Sequence, residues 1–308
     1  MGVLVIGSLA LDSLKTPFGA VENVLGGSAS YFATAASFFT EVSLVGVVGD
    51  DFPPEALALF RERDVDLEGL ERIAGHTFRW RGEYGYDLNE AITLETHLNV
   101  FEHFRPKLPP RYRDSAYVFL ANIDPELQLE VLTQVQRPKL VACDTMNYWI
   151  QGKQAALKAV LQHVDLLTIN EGEARQLAQE PNIVKAARKL LDMGPKTLII
   201  KRGEYGALMF NGATTFFAPA YPLEAVYDPT GAGDTFAGGF MGYLANIDDT
   251  SEEAMRQAII MGSTMASFNV ESFSLERLHS LTYPEIRDRF RAFKHLVTFA
   301  DLPEPPDR

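Results

Sequence analysis

The run Asp228-Pro229-Thr230-Gly231-Ala232-Gly233-Asp234-Thr235-Phe236-Ala237-Gly238-Gly239-Phe240 limits what this chain can fold into more than any other stretch. Pro229 and the glycines enforce a tight turn, after which Phe236, Phe240, Tyr243 and Leu244 recur with helical spacing. Gly231, Ala232 and Gly233 therefore cover the first turn of a helix with almost no side-chain bulk. First-turn N–H groups lack partners inside the helix and carry the positive end of its dipole, so they suit an anion, a phosphoryl group in particular. Asp234 sits within the same turn, where a carboxylate is placed to accept a proton from a hydroxyl. An anion cradle beside a base is what phosphoryl transfer to an alcohol requires. Taken alone, the residues also fit a glycine-rich strand-to-helix turn with a capping aspartate.

Around this stretch the chain alternates short apolar runs with helical segments. Val3 to Ser8 (an apolar run ending in Gly-Ser), Val42 to Val48, Tyr117 to Asn122, Leu140 to Asp144, Leu166 to Asn170 and Thr197 to Lys201 are continuous enough to be strands buried on both faces. Helices are expected from Ala29 to Phe39, after Pro53-Pro54, and over roughly 251–268 and 283–295. Short strands Ala207 to Phe210 and Thr215 to Ala218 precede the glycine-rich turn. This rhythm predicts an α/β architecture with a doubly wound, mostly parallel sheet, whose ligands gather at the carboxyl ends of the strands. Asp12, Gly49-Asp50, Asn122, Asp144, Asn170, Lys201-Arg202 and Asp234 all fall there.

Residues 75–101 break the pattern. Phe78 and Trp80 alternate with Arg79 and Arg81, and Ile92, Leu94, Thr96, Leu98 and Val100 alternate with polar residues, across the turn Asp87-Leu88-Asn89-Glu90. Period-two alternation predicts a hairpin with one wet and one apolar face, a lid over a ligand or a surface for a second subunit. A hairpin that extends the main sheet is the other reading.

Net charge is −13, which disfavours nucleic acid and anionic membrane as partners. The single cysteine, Cys143, excludes a disulfide framework and a cysteine-cluster metal site. No signal peptide and no apolar run of about 18 residues is found, so a cytoplasmic protein is expected. His76, His97 and His103 have no metal-site spacing. The Pro-rich end, residues 301–308, is expected to be disordered.

Asn170-Glu171-Gly172-Glu173 is the second informative piece. A neutral oxygen and a carboxylate at this spacing suit a Mg²⁺ that keeps most of its waters, while the same spacing also makes a helix capping box.

The string D-P-T-G-A-G-D-T-F resembles the signature of the ribokinase-like, PfkB-type carbohydrate kinases, and the resemblance runs to about residue 275. It implies a three-layer αβα sandwich, one kinase domain over residues 1–300, with a small β lid from about 12–25 and 75–101. By the same resemblance Gly231, Ala232 and Gly233 form the anion hole and Asp234 is the base. Asp12 binds acceptor hydroxyls, Gly26-Gly27 is the lid hinge, and Asn147 faces substrate or phosphate. Asn170, Lys201, Gly203, Gly206, Thr230 and Asn269 belong to the nucleotide side, with Asn170 and Glu173 organising Mg²⁺. The implied activity is ATP-dependent phosphorylation of a primary hydroxyl on a small sugar-like molecule, with a monovalent cation as a further cofactor and a homodimer through the lid. Ala10 and Ser28-Ala29-Ser30-Tyr31 stand where sugar kinases of this family carry Asn, which leaves room for a nucleoside or a cyclitol. A silent, ligand-binding regulator is the alternative of a different class, and the presence of both Asp234 and Glu173 speaks against it.

Overall fold

Strands buried on both faces stack side by side without a wet surface, and the short apolar runs do so here. The computed structural model describes residues 1–89 and 91–301. Among them, the strands are β1 (Val3–Ile6), β2 (Ala10–Thr16), β3 (Gly19–Gly26), β4 (Val42–Val48), β5 (Val65–Arg72), β6 (Phe78–Tyr84) and β7 (Ala91–His97). They continue with β8 (Tyr117–Leu120), β9 (Leu140–Cys143), β10 (Leu166–Asn170), β11 (Thr197–Lys201), β12 (Ala207–Phe210) and β13 (Thr215–Ala218). The main sheet has the order β13-β12-β11-β10-β9-β8-β1-β4-β5 and is parallel except for β12 and β13. A second sheet, β3-β2-β6-β7, stands apart from it.

β1 pairs in parallel with both β4 and β8, so the winding reverses at β1. Such a reversal opens a crevice at the carboxyl ends of the strands. Alternation along β1 builds the layers. Val3 and Val5 pack into one core with the helices Ser28–Ala36, Ala232–Ile247 and Glu252–Asn269, while Leu4 and Ile6 pack into the other with Pro125–Leu132, Gln154–Leu161, Glu171–Ala178 and Ile183–Leu191. Each such side chain, fully buried, contributes ~1.5–3 kcal/mol of transfer free energy. Among the described residues no helix is long and apolar enough to cross a membrane.

Three expectations need correction or completion. Strand β5 pairs in parallel with β4, although its acidic sequence gave no strand signal. Strand β7 ends at His97, and Asn99–His103 turns into a 3₁₀ helix that buries Val100. An irregularity between Arg81 and Gly82 shifts the β6–β7 register, which breaks the expected single apolar face: Thr96 pairs with Trp80 and Thr93 with Gly82, while Ile92 and Leu94 are exposed. The expected disordered tail lies, from residue 302 onward, outside the described residues, as does Glu90 of the lid turn.

Helix Ala232–Ile247 is wedged between two others through glycines. A Cβ on Gly238 would stand 2.4 Å from the Phe32 carbonyl oxygen, and one on Gly239 would stand 2.8 Å from Met265 Cγ. This close approach sets the glycine-rich turn beside the start of helix Ser28–Ala36. Ala at position 238 would gain about 1 kcal/mol of helix propensity, but the clash is with backbone and overpacking costs about 1–3 kcal/mol. The net cost of up to about 2 kcal/mol means that Gly238→Ala is expected to lower Tm by up to about 3 °C in a thermal melt; a raised Tm would contradict the close packing.

Candidate active site

The acceptor side begins at the end of β1. Gly27 has φ +92°, and a Cβ there would lie 2.5 Å from the Ser8 carbonyl oxygen, so the chain passes into helix Ser28–Ala36 only as glycine. Gly26 leaves space for the Asp12 carboxylate, whose Oδ2 would be 1.8 Å from an added Cβ. Asp12 pairs with Trp80 across β2 and β6, and it is 4% exposed. Burial, reinforced by Asp228 and more weakly by Asp234, pushes its carboxyl up to about 8, against the pull of the Gly27 amide.

Asp228 organises the glycine-rich turn. It is buried, and it accepts hydrogen bonds from Thr230 N at 2.9 Å and from Ser274 N at 3.1 Å. Burial raises its carboxyl above the ordinary range, and the Thr230 hydroxyl together with these two amides opposes the rise. Asn269, expected to face the nucleotide, is 1% exposed; its Nδ2 donates to the Thr230 carbonyl at 2.8 Å and its Oδ1 accepts from Thr235 Oγ1 at 3.1 Å. It braces the turn from within. Gly231, at φ +73°, starts helix Ala232–Ile247, and the Tyr31 ring lies so close that a Cβ would stand 2.4 Å from its carbons.

The first-turn amides are not equivalent. Ala232 N donates to the Pro229 carbonyl at 3.1 Å, so it is spent inside the turn. Gly231 and Gly233 N–H groups have no protein acceptor among the described residues. Asp234 follows them, half-buried, with its carboxyl pushed up to about 7 by burial and by Asp144, against Lys201 and its own amide.

The phosphate side is assembled from neighbouring strand ends. Lys201 closes β11 and its Nζ donates to Asp144 Oδ2 at 2.7 Å; the same nitrogen would be 2.9 Å from a Cβ on Gly233. Burial works against the Lys201 charge, but Asp144, Asp234 and Glu173 outweigh it and hold the ammonium above its usual range. Asn170 and Glu173 form the capping box: Glu173 N donates to Asn170 Oδ1 at 2.8 Å, and Asn170 N to Glu173 Oε2 at 3.0 Å. Burial and Asp144 push the Glu173 carboxyl up to about 7, opposed by the Asn170 amide, Lys201 and the Asn147 amide. The Asn147 amide thus stands beside the Glu173 carboxylate. Gly203 and Gly206 shape the loop after β11, where Arg202 N donates to the Gly206 carbonyl at 2.8 Å.

Among the described residues no three His, Cys, Asp or Glu side chains gather as a metal cluster. Mg²⁺ needs no such cage, because it keeps several waters and takes one or two carboxylates plus substrate phosphates. Glu173 with Asp144 nearby fits that donor set. Asn170 fits it less well, because its oxygen is engaged by the Glu173 amide.

Sequence reading assigned no role to Asp228 as a buried acid or to Tyr84. Tyr84 ends β6, and Thr230 Oγ1 donates to its hydroxyl at 3.2 Å. At the root of the lid Asp51, one residue past the expected Gly49-Asp50 element, accepts from Thr77 N at 2.7 Å and from Arg79 at 2.8 Å. Burial opposes its charge, yet Arg79, Thr77 and His76 hold its carboxyl well below the usual range.

Residues 5–278 match the model of the pfkB family carbohydrate kinases. Over 248 residues the chain is 31% identical to the cytidine kinase of Thermococcus kodakarensis, which covers 78% of this chain and 87% of that one. The crystal structure of the nucleoside kinase of Methanocaldococcus jannaschii, an archaeal member of the ribokinase family, superposes with a TM-score of 0.75 at 20% identity over 94% of this chain and 98% of that one. A fructokinase from Vibrio cholerae O395, solved with fructose, ADP and calcium, gives 0.76 at 15% identity over 94% and 98%. These structures share the α/β fold, and the family model spans nearly the whole chain. This chain belongs to the pfkB family of carbohydrate kinases.

Proposed function

We propose that this kinase transfers the γ-phosphoryl group of ATP to a primary hydroxyl, and that a nucleoside is its preferred acceptor. The observation that carries the reading is the first turn of helix Ala232–Ile247. Unpartnered N–H groups of Gly231 and Gly233, the Lys201 ammonium and the Asp234 carboxylate converge there.

Asp12 orients the acceptor by its hydroxyls. Asp234 takes the hydroxyl proton as that oxygen attacks the γ-phosphorus, and the bond from phosphorus to the leaving ADP oxygen breaks. The Gly231 and Gly233 amides with Lys201 stabilise charge on the transferring group, which is the term that most lowers such a barrier. Glu173 and Asp144 would hold Mg²⁺, which neutralises nucleotide phosphate when bound. The cleft belongs to one catalytic domain under a lid. Hinge motion at Gly26-Gly27 lets the lid exclude water.

A nucleoside is favoured over a free sugar by the identity to a cytidine kinase and by the inner lid face. Trp80 packs against Gly82, whose Cβ would be 2.2 Å from the indole, and it stands opposite Asp12 in register. A flat ring suits the face of a base. ADP release measured with cytidine, other nucleosides, ribose and fructose decides the acceptor, and the same assay with and without K⁺ tests the monovalent cation. Faster turnover of a free sugar than of every nucleoside would overturn the nucleoside reading.

Asp234→Asn should lower kcat by about 10²–10⁴-fold. Its folded-state carboxyl sits near 7, above the ordinary 3.8, so ionising it costs stability as pH rises through that value. The amide removes that cost, and Tm at pH 8 should rise by about 2–4 °C. Retention of normal turnover would refute Asp234 as the base.

Because the free enzyme's base must be ionised, kcat/KM should fall below about pH 7 in the wild type. An acid limb that begins near pH 4 would mean that some other group takes the proton.

A homodimer through the lid remains part of the proposal, supported by exposed Ile92 and Leu94 on the edge strand β7. Sedimentation should give the mass of two chains, and Leu94→Lys should return it to one. A wild-type mass of one chain removes this part.

A further inference from the structure

Thr230 leads directly into the anion-binding turn, and it is held from more than one body of the structure. Its N–H donates to Asp228 and its carbonyl accepts from Asn269, both partners belonging to the sheet-and-helix body. Its hydroxyl, which also lies against the Asp228 carboxylate, donates to Tyr84 at the end of β6, on the lid. Among the described residues this hydroxyl–hydroxyl hydrogen bond links the end of lid strand β6 to the turn.

Further along the same hairpin, Asn89 lies against the loop after β11. A Cβ on Gly203 would be 2.0 Å from Asn89 Oδ1, so the hairpin seats there because Gly203 has no side chain. Residues 84–89 consequently span the cleft from the anion-binding turn to the nucleotide-side loop. Beneath them the Tyr31 hydroxyl is buried without a hydrogen-bond partner, and Asp12 is almost fully covered. Lid strand β7 is exposed along its whole length, and an element with so little buried surface opens locally at small cost. The Tyr84–Thr230 contact is thus made when the lid is down and lost when it lifts.

We infer that Tyr84 is a positioning residue whose hydroxyl couples closure of the lid to ordering of the anion-binding turn. This deepens the proposed function and rests on it, because the turn matters only if its amides receive the phosphoryl group. Coupling of this kind is reciprocal: what steadies the turn steadies the lid by the same factor.

Amide hydrogen exchange of the full-length protein with no ligand tests the inference without knowledge of the acceptor. Tyr84→Phe should speed exchange at residues 230–235 about 3- to 10-fold, the range expected for loss of one neutral hydrogen bond. Thr230→Val should speed exchange in residues 84–89 to a similar extent, Thr230→Ser should behave as wild type, and the double variant Y84F/T230V should be no worse than either single. Thermal melts identify any variant that has lost the fold, and Thr230→Ser with Tyr84→Phe then carries the comparison. In the ADP-release assay with cytidine and Mg·ATP, Tyr84→Phe should reduce kcat more than it raises the KM for cytidine. Unchanged exchange at 230–235 in Tyr84→Phe, or additive effects in the double variant, would overturn the coupling. That outcome leaves the proposed function standing, whereas normal turnover by Asp234→Asn overturns the function and not the coupling.

Discussion

The site depends on how closely helix Ala232–Ile247 lies against helix Ser28–Ala36. Gly238 and Gly242 present bare backbone to Phe32 and Ala36, so the two helices approach until main chain meets main chain. Both helices begin at the carboxyl edge of the sheet, one after Gly27 and one after Gly231, and both glycines hold left-handed or related positive φ. Close packing therefore brings the Gly26-Gly27 turn and the glycine-rich turn to one place. Tyr31, on the first helix, fits against Gly231 at the start of the second. A larger side chain at these contacts would separate the two turns as well as loosen the core.

That proximity has an electrostatic consequence. Asp12, Asp228 and Asp234 come from β2 and the glycine-rich turn and face one partly enclosed space, while Asp144 and Glu173 add further acids on the phosphate side. Burial raises four of these carboxyls, Asp12, Glu173, Asp228 and Asp234, and neighbouring acids add to the rise at Asp12, Glu173 and Asp234. Lys201 is the cation set among them, and Asp144 holds it in place over Gly233. Such an arrangement costs stability near neutral pH, and it suits a reaction that needs a base near neutrality and a site for phosphate and Mg²⁺.

The lid adds a separate, weaker layer. Asp51 ties its root to the main sheet through Arg79 and Thr77, whereas its far end is held by side-chain contacts at Tyr84 and Asn89. A firm root and a lightly held tip support the proposed hinged cover, which would suit an enzyme that must admit an acceptor and then exclude water.

Sequence alone was enough to place the buried strands and the glycine-rich turn, because continuous apolar runs and a Pro-Gly cluster are local signals with few alternative meanings. It also placed Lys201, Glu173 and Asp234 at a strand end or in a first helical turn, where the fold brings them together, whereas Asp12, expected just past the first strand, lies inside β2. It did not reveal β5, whose acids lie on a half-exposed edge, nor the irregularity in the lid that turns Ile92 and Leu94 outward. Only the tertiary structure decided which amides of the turn are free, that Asn269 braces the turn from inside the core, and that Asn147 stands beside Glu173. It alone brought Tyr84 to Thr230. These outcomes depend on contacts between residues far apart in the chain, such as Tyr84 with Thr230 and Asp144 with Lys201, and no local pattern of residue types encodes the distance between them.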